Sequence, residues 1–252
     1  MISFNNRTVW LTGASSGIGY ALAERLLKLG ATVIVTARRQ EPLEALRSAG
    51  RCHIVTADVG VKGVEHTLRD QLTEIVDSID TVIINAGTCE YVDIDAFDVD
   101  LVERVNSVNY MGFVRCVGAA LPLLKQSGKE PHLVGVSSAA AYIGLPRSEA
   151  YGASKAAMRH FLQALRLDLK PAGITTSIIY PGFVDTPLTR QNDFSMPFLM
   201  TTDAAVDCMV AGMEQQKLEI SFPRRLIWPL KLLSFLPAGI ASTLGAKMVR
   251  EN

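Results

Sequence analysis

The sequence predicts an α/β fold: a doubly wound, mainly parallel seven-stranded sheet flanked by helices, in a single domain spanning residues 1–252. Three observations carry that expectation. Short apolar or β-branched runs alternate with longer stretches whose apolar residues recur at spacings of three and four. The short runs are apolar almost throughout, as in strands covered on both faces. The 252 residues, 48% of them apolar, contain no low-complexity linker, repeat or like-charge block that would divide them.

Strands are expected near 7–12 (RTVWLT), 31–37 (ATVIVTA), 52–57, 80–85 (DTVIIN), 132–137 (HLVGVS), 174–180 (ITTSIIY) and 218–222 (LEISF). Helices fill the gaps near 17–29, 41–49, 61–77, 97–126, 150–170 and 202–216. Strand–helix–strand connections are right-handed, so successive helices cover a parallel sheet on both faces, and ligands bind outside the carboxyl ends of the strands. Every motif discussed below falls at such an end.

Composition excludes several functions. Lys plus Arg equals Asp plus Glu at 25 each, so no net field draws the chain to nucleic acid or to an acidic membrane. A small, uncharged or amphipathic substrate fits better. Cys52, Cys89, Cys116 and Cys208 are widely spaced with no CxxC, and the amino terminus MISFNNRTVW has no signal-like apolar run, so reduced thiols and a cytoplasmic location are expected. Cys52 and His53 are adjacent within a strand pattern and point to opposite faces, so no metal site is expected there.

The stretch TGASSGIG, Thr12 to Gly19, follows the first strand and opens the first helix. Gly13 supplies backbone angles closed to other residues, Gly17 lets the chain approach a pyrophosphate, and Gly19 lets helix and strand pack closely. Phosphates would then meet the helix amino terminus. The spacing is G-x-x-x-G-x-G, not the GxGxxG fingerprint. The second strand ends in TARRQ, with Ala37 where an NAD-binding sheet carries an acid, followed by Arg38 and Arg39. Arginine there accommodates a ribose 2′-phosphate, which favours NADP over NAD.

In YGASK, residues 151–155, a phenol and an ammonium stand four positions apart on one helix face. A nearby cation favours the phenolate, so Lys155 is expected to bring Tyr151 down from its usual pKa of about 10. Ser137 and Ser138 lie upstream, and in extended backbone only one of them can face Tyr151.

Taken in order, these motifs resemble the short-chain dehydrogenase/reductase family from Thr12 to about Thr186. TGASSGIG resembles its cofactor turn, including Ser15, Ser16 and Ile18. Asp58 and Val59 resemble the adenine contact, and Asn85, Ala86 and Gly87 the motif after the fourth strand. NSVNYMG carries Asn109 at the family's helix-distorting catalytic position. Ser138, thirteen residues before Tyr151, is the serine that the family spacing selects, and YPGFVDT resembles the segment against nicotinamide, with Pro181, Gly182, Val184 and Thr186. The resemblance implies a Rossmann-like fold and hydride transfer between NADP(H), or NAD(H), and the carbonyl or secondary alcohol of a small molecule. It implies Tyr151 as acid/base, Ser138 on the substrate oxygen, Lys155 on the phenol and the nicotinamide ribose, and Asn109 holding a water beside Lys155. A homodimer or homotetramer is expected. A dinucleotide-sensing regulator, or an epimerase or dehydratase on a related sheet, is the alternative.

After Thr186 the resemblance fades. Residues 186–216 are expected to include a lid, and Phe194, Met196, Phe198, Leu199 and Met200 point to an apolar substrate. Residues 223–252 depart from the usual family ending. The apolar run there is interrupted by Pro229, Lys231 and Pro237, too short to span a bilayer. It fits a cover over the pocket or a dimer interface better than a segment lying on a membrane surface.

Overall fold

The computed structural model describes residues 1–237, 239, 240 and 243. In chain order it contains β1 (Thr8–Thr12), α1 (Gly17–Lys28), β2 (Thr32–Ala37), α2 (Glu41–Glu44), β3 (Cys52–Thr56), α3 (Val64–Thr73), β4 (Thr81–Ile84), α4 (Val99–Asn106), α5 (Gly112–Lys125), β5 (His132–Val136), α6 (Glu149–Leu169), β6 (Thr175–Pro181), α7 (Thr202–Glu214), β7 (Glu219–Phe222) and α8 (Arg224–Leu233). The seven strands form one sheet in the order β3-β2-β1-β4-β5-β6-β7. Every pairing is parallel, so the sheet is wholly rather than mainly parallel. The order reverses between β1 and β4, which puts the topological switch beside the glycine turn.

Alternation along the strands builds two cores. Trp10 and Ile34 face the layer of α3, α5 and α6, whereas Val9, Leu11, Val33 and Val35 face α1 and α7. Trp10 is fully buried, and its indole N–H donates to Thr36 Oγ1 at 2.9 Å, so its one polar atom is satisfied. The expected helix over 97–126 is interrupted by a π-turn at Ser107–Met111. That helical stretch, Val99–Lys125, is the one candidate membrane span among the described residues; half of its most apolar window is buried within the fold.

Helix α7 lies where a helix is expected near 202–216, and α8 opens the segment 223–252. Within 186–216, Thr202–Glu214 is α7, whose Ala205, Val206, Met209 and Val210 are buried in the core. Loop structure over the cleft is therefore confined to the residues before it. The chain beyond Phe222 opens with α8, which extends its Ile227 and Leu230 into the other core.

Candidate active site

At the carboxyl edge of the sheet, an open cleft brings together residues that lie far apart in the sequence. Ile18, Asn85 and Gly87 line one side; Ser138, Tyr151 and Lys155 form the floor; Gly182, Val184 and Thr186 close the other side.

The glycine turn is shaped by close approach. Gly13 has φ +71°, and a β-carbon there would lie 2.7 Å from Ala86 Cα. At Gly19 a β-carbon would lie 2.1 Å from the Gly13 carbonyl oxygen, so α1 packs against the turn itself. Thr12 and Asn85 lock the turn to β4. Thr12 Oγ1 accepts from the Asn85 and Ala86 amides at 3.1 and 3.2 Å, and Asn85 Nδ2 donates to the Gly13 carbonyl at 3.1 Å. Asn85 is thereby a positioning group as much as a contact surface.

The residues present fit a dinucleotide. The first turn of α1 carries no acidic residue, and its N-cap, Ser16, makes no side-chain cap hydrogen bond, which leaves helix amides for an anion. Arg38 and Arg39 are exposed just past β2 and have no side-chain hydrogen bond or ion pair among the described residues. Asp58 at the end of β3 accepts from the Gly60 amide at 2.9 Å, a turn that fixes its carboxylate, and the adjacent Val59 is buried.

The floor is pinned to main-chain atoms. Lys155 is 3% exposed, and its ammonium donates to the Val136 carbonyl at 3.0 Å. Ser137 donates its hydroxyl to the Lys155 carbonyl at 3.0 Å, which commits it to α6. The Ser138 hydroxyl bonds the Tyr151 phenol and also accepts from the Ala140 amide at 3.2 Å. Of the two serines, it is the one with its hydroxyl toward the tyrosine.

The Tyr151 pKa is raised, not lowered as the isolated Tyr–Lys pair implies. Burial pushes the phenol up to about 12, against the smaller pull of Ser138. Burial also pulls Lys155 down to about 8. The ammonium sits 5.8 Å from the Tyr151 ring centroid, over the ring. Desolvation disfavours both charged forms and is the largest cause of both shifts. At neutral pH the phenol is therefore protonated.

Asn109 is fully buried within the π-turn. Its Nδ2 donates to the Thr88 carbonyl at 2.9 Å and to Ser154 Oγ at 3.0 Å, while its Oδ1 accepts from the Thr88 amide at 2.8 Å. Three of its four hydrogen-bonding positions are thus taken, leaving one Oδ1 lone pair. A β-carbon at Gly87 would stand 3.2 Å from that Oδ1 and 3.3 Å from Lys155 Nζ, so glycine keeps the space between the two groups open.

Sequence reasoning missed Ser154 and Tyr91. Ser154 donates to the Tyr151 carbonyl at 2.7 Å and receives Asn109, joining α6 to the π-turn. Its position three residues after Tyr151, where a serine can bond back along a helix, was the available signal. Tyr91 donates its hydroxyl to Asn192 Oδ1 at 2.6 Å, stacks edge-on with Phe194 at 5.8 Å, and lies 5.3 Å beneath the Arg147 guanidinium. No local pattern marked it. Of the apolar lid residues, Phe194 also meets Phe183 at 5.9 Å, while Met200 returns to Val184 through an isolated parallel bridge. Phe198 and Leu199 are exposed.

A doubly wound sheet with its cleft at the switch point defines a nucleotide-binding class of α/β protein. Residues 7–195 match the family model described as short chain dehydrogenase, and the chain belongs to that family. A Myxococcus xanthus protein described as an uncharacterized oxidoreductase is 37% identical over 242 residues, covering 94% of this chain and 95% of its own. A short chain dehydrogenase from Burkholderia cenocepacia, solved in complex with NADP, superposes with a TM-score of 0.84 at 25% identity, covering 99% of this chain and 100% of its own. A short chain dehydrogenase/reductase from Burkholderia phymatum, solved with NAD, shares the fold with a TM-score of 0.84 at 19% identity, covering 100% and 99%.

Proposed function

We propose that the protein is an NADP(H)-dependent oxidoreductase acting on the carbonyl or secondary alcohol of a small, apolar substrate, with Tyr151 as the acid/base. The observation that carries this is a protonated phenol on the cleft floor between Ser138 and the buried Lys155. A bound dinucleotide would supply or accept the hydride. The chain's own residues do the rest. The glycine turn and the α1 amino terminus hold the pyrophosphate, Asp58 and Val59 border the adenine, and Pro181, Gly182, Val184 and Thr186 flank the nicotinamide.

In the reducing direction, Tyr151 gives its proton to the carbonyl oxygen as hydride reaches the carbon. Ser138 hydrogen-bonds that oxygen and stabilises its developing charge. Lys155 binds the nicotinamide ribose. A water between Lys155 Nζ and Asn109 Oδ1, in the space kept by Gly87, passes the replacement proton. Leu188 on the cleft, with the Phe183–Phe194 ring pair in the chain segment on either side of it, supports an apolar substrate.

The test is NADPH consumption across ketones, aldehydes and quinones, with Tyr151→Phe alongside. Turnover is expected to fall by about 10² to 10⁴ while NADPH affinity is kept; a variant as fast as the parent overturns the assignment. The NADP preference rests on Arg38, supported by the NADP-bound Burkholderia cenocepacia relative. Arg38→Ala should weaken NADPH about tenfold or more and leave NADH nearly unchanged, as expected for a charge-assisted bond to a 2′-phosphate. Equal losses for both cofactors would remove that preference.

A further inference from the structure

Helix α8 has two unlike faces. Its inner face buries Ile227 and Leu230, and Lys231 pairs with the Glu219 carboxylate of β7. Its outer face begins with exposed Arg224 and Arg225, continues through Trp228 at 67% exposure and Leu232 at 68%, and ends at Phe235 at 84%, just past the helix. Residues spaced by four and then three project to one side. Single exposed apolar residues are ordinary, but a contiguous row of large ones marks an interaction surface.

Charge decides the occupant. From Ile220 to Arg250 the sequence holds five basic residues, Arg224, Arg225, Lys231, Lys247 and Arg250, and no acidic one, in a chain that is neutral as a whole. A second copy packed through this same face would find no carboxylate between Ile220 and Arg250 to receive the arginine pair, and Glu219 just before that stretch is already paired with Lys231. An anionic lipid surface satisfies both parts of the face: guanidinium groups at the phosphates, indole at the headgroup boundary, and Leu and Phe among the acyl chains. At ten residues the helix is too short to cross a bilayer and suits an in-plane position.

We infer that the outer face of α8 docks the protein in-plane on an anionic lipid surface, with Arg224 and Arg225 at the headgroups and Trp228, Leu232 and Phe235 in the interfacial layer. This reverses the preference read from the sequence, because the covering role is filled by the inner face alone. Leu226 of the same helix lies against Gly182, where a β-carbon would stand 2.7 Å from its Cδ2, so docking brings that wall of the cleft toward the lipid.

The chain carries its own reporter, since of its two tryptophans Trp10 is fully buried and Trp228 is exposed. Full-length protein is mixed with vesicles of pure phosphatidylcholine or of an equimolar mixture with phosphatidylserine, then followed by emission and flotation. A blue shift and co-flotation are expected with the anionic vesicles, both diminishing as salt is raised. Trp228→Phe should abolish the shift. Arg224→Gln with Arg225→Gln should lower partitioning about tenfold or more, and Leu232→Ser with Phe235→Ser should lower it further. Protein that stays unbound overturns the inference, as does equal binding to both vesicle types. A Trp228 shift that follows protein concentration without lipid also overturns it, because a second copy would then cover the face. The vesicle and salt comparisons on unmodified protein decide the matter even where a variant folds poorly.

Discussion

The floor of the cleft and its mouth are held by different kinds of interaction. On the floor, Lys155, Asn109 and Ser154 are buried and bonded to main-chain atoms or to one another. At the mouth, Tyr91, Arg147, Asn192 and Asp193 meet through side chains, and the Arg147–Asp193 pair at 3.1 Å is more than half exposed on both partners. An exposed ion pair contributes roughly 0–1 kcal/mol, whereas an unpaired buried polar group costs about 1–3 kcal/mol. The floor is therefore fixed before substrate arrives, and the mouth can change its side chains at little cost in stability.

The change expected to break the floor most severely is Gly19→Ala. With the Gly13 carbonyl 2.1 Å from the new methyl, α1 must shift off the glycine turn. Thermal or urea unfolding should show a loss of about 1–3 kcal/mol, accompanied by loss of dinucleotide binding in a titration. An unchanged melting temperature would mean that the turn yields more easily than its packing implies.

A smaller effect comes from protonation. Burial lowers the Lys155 pKa to about 8, so its ammonium is present below that pH and is lost as pH rises through it. The ratio kcat/KM for NADPH reports the free enzyme. It should fall above about pH 8, approaching tenfold per pH unit, and Lys155→Met should lack that limb. A profile flat to pH 10 would show that the lysine charge is not required for cofactor capture.

The smallest effect is expected at the mouth. Arg147→Ala removes the Asp193 pair and the cation above Tyr91, and should cost less than about 1 kcal/mol of stability. A change in KM for the carbonyl substrate, with kcat nearly kept, would assign Arg147 to substrate admission. A fall in kcat equal to that of Tyr151→Phe would erase the distinction between mouth and floor.

Much of the floor was legible because each motif is a short local stretch at the carboxyl end of a strand. Thr12–Gly19, Asn85–Gly87, Ser138 and Tyr151–Lys155 could be placed once the strands were found, since parallel order sends all these ends to one edge. The Asn109–Ser154 bond was not legible, because its partners are 45 residues apart and meet only where the π-turn lies against α6. Tyr91 and Asn192 are 101 residues apart, and neither carries a motif.

The sequence by itself determined the alternation of elements, the glycine turn, the spacing of the reactive side chains and the basic stretch from Ile220 to Arg250, all properties of neighbouring residues. Tertiary structure alone decided the direction of the pKa shifts on the floor. The four-residue spacing of Tyr151 and Lys155 fixes their proximity, but the water removed from both depends on β5, the π-turn and the cleft walls. That desolvation raises the phenol and lowers the amine, opposite to what the isolated pair implies. It also decided which side of α8 is covered, because an amphipathic pattern does not state which face meets the core until Ile227 and Leu230 are packed there.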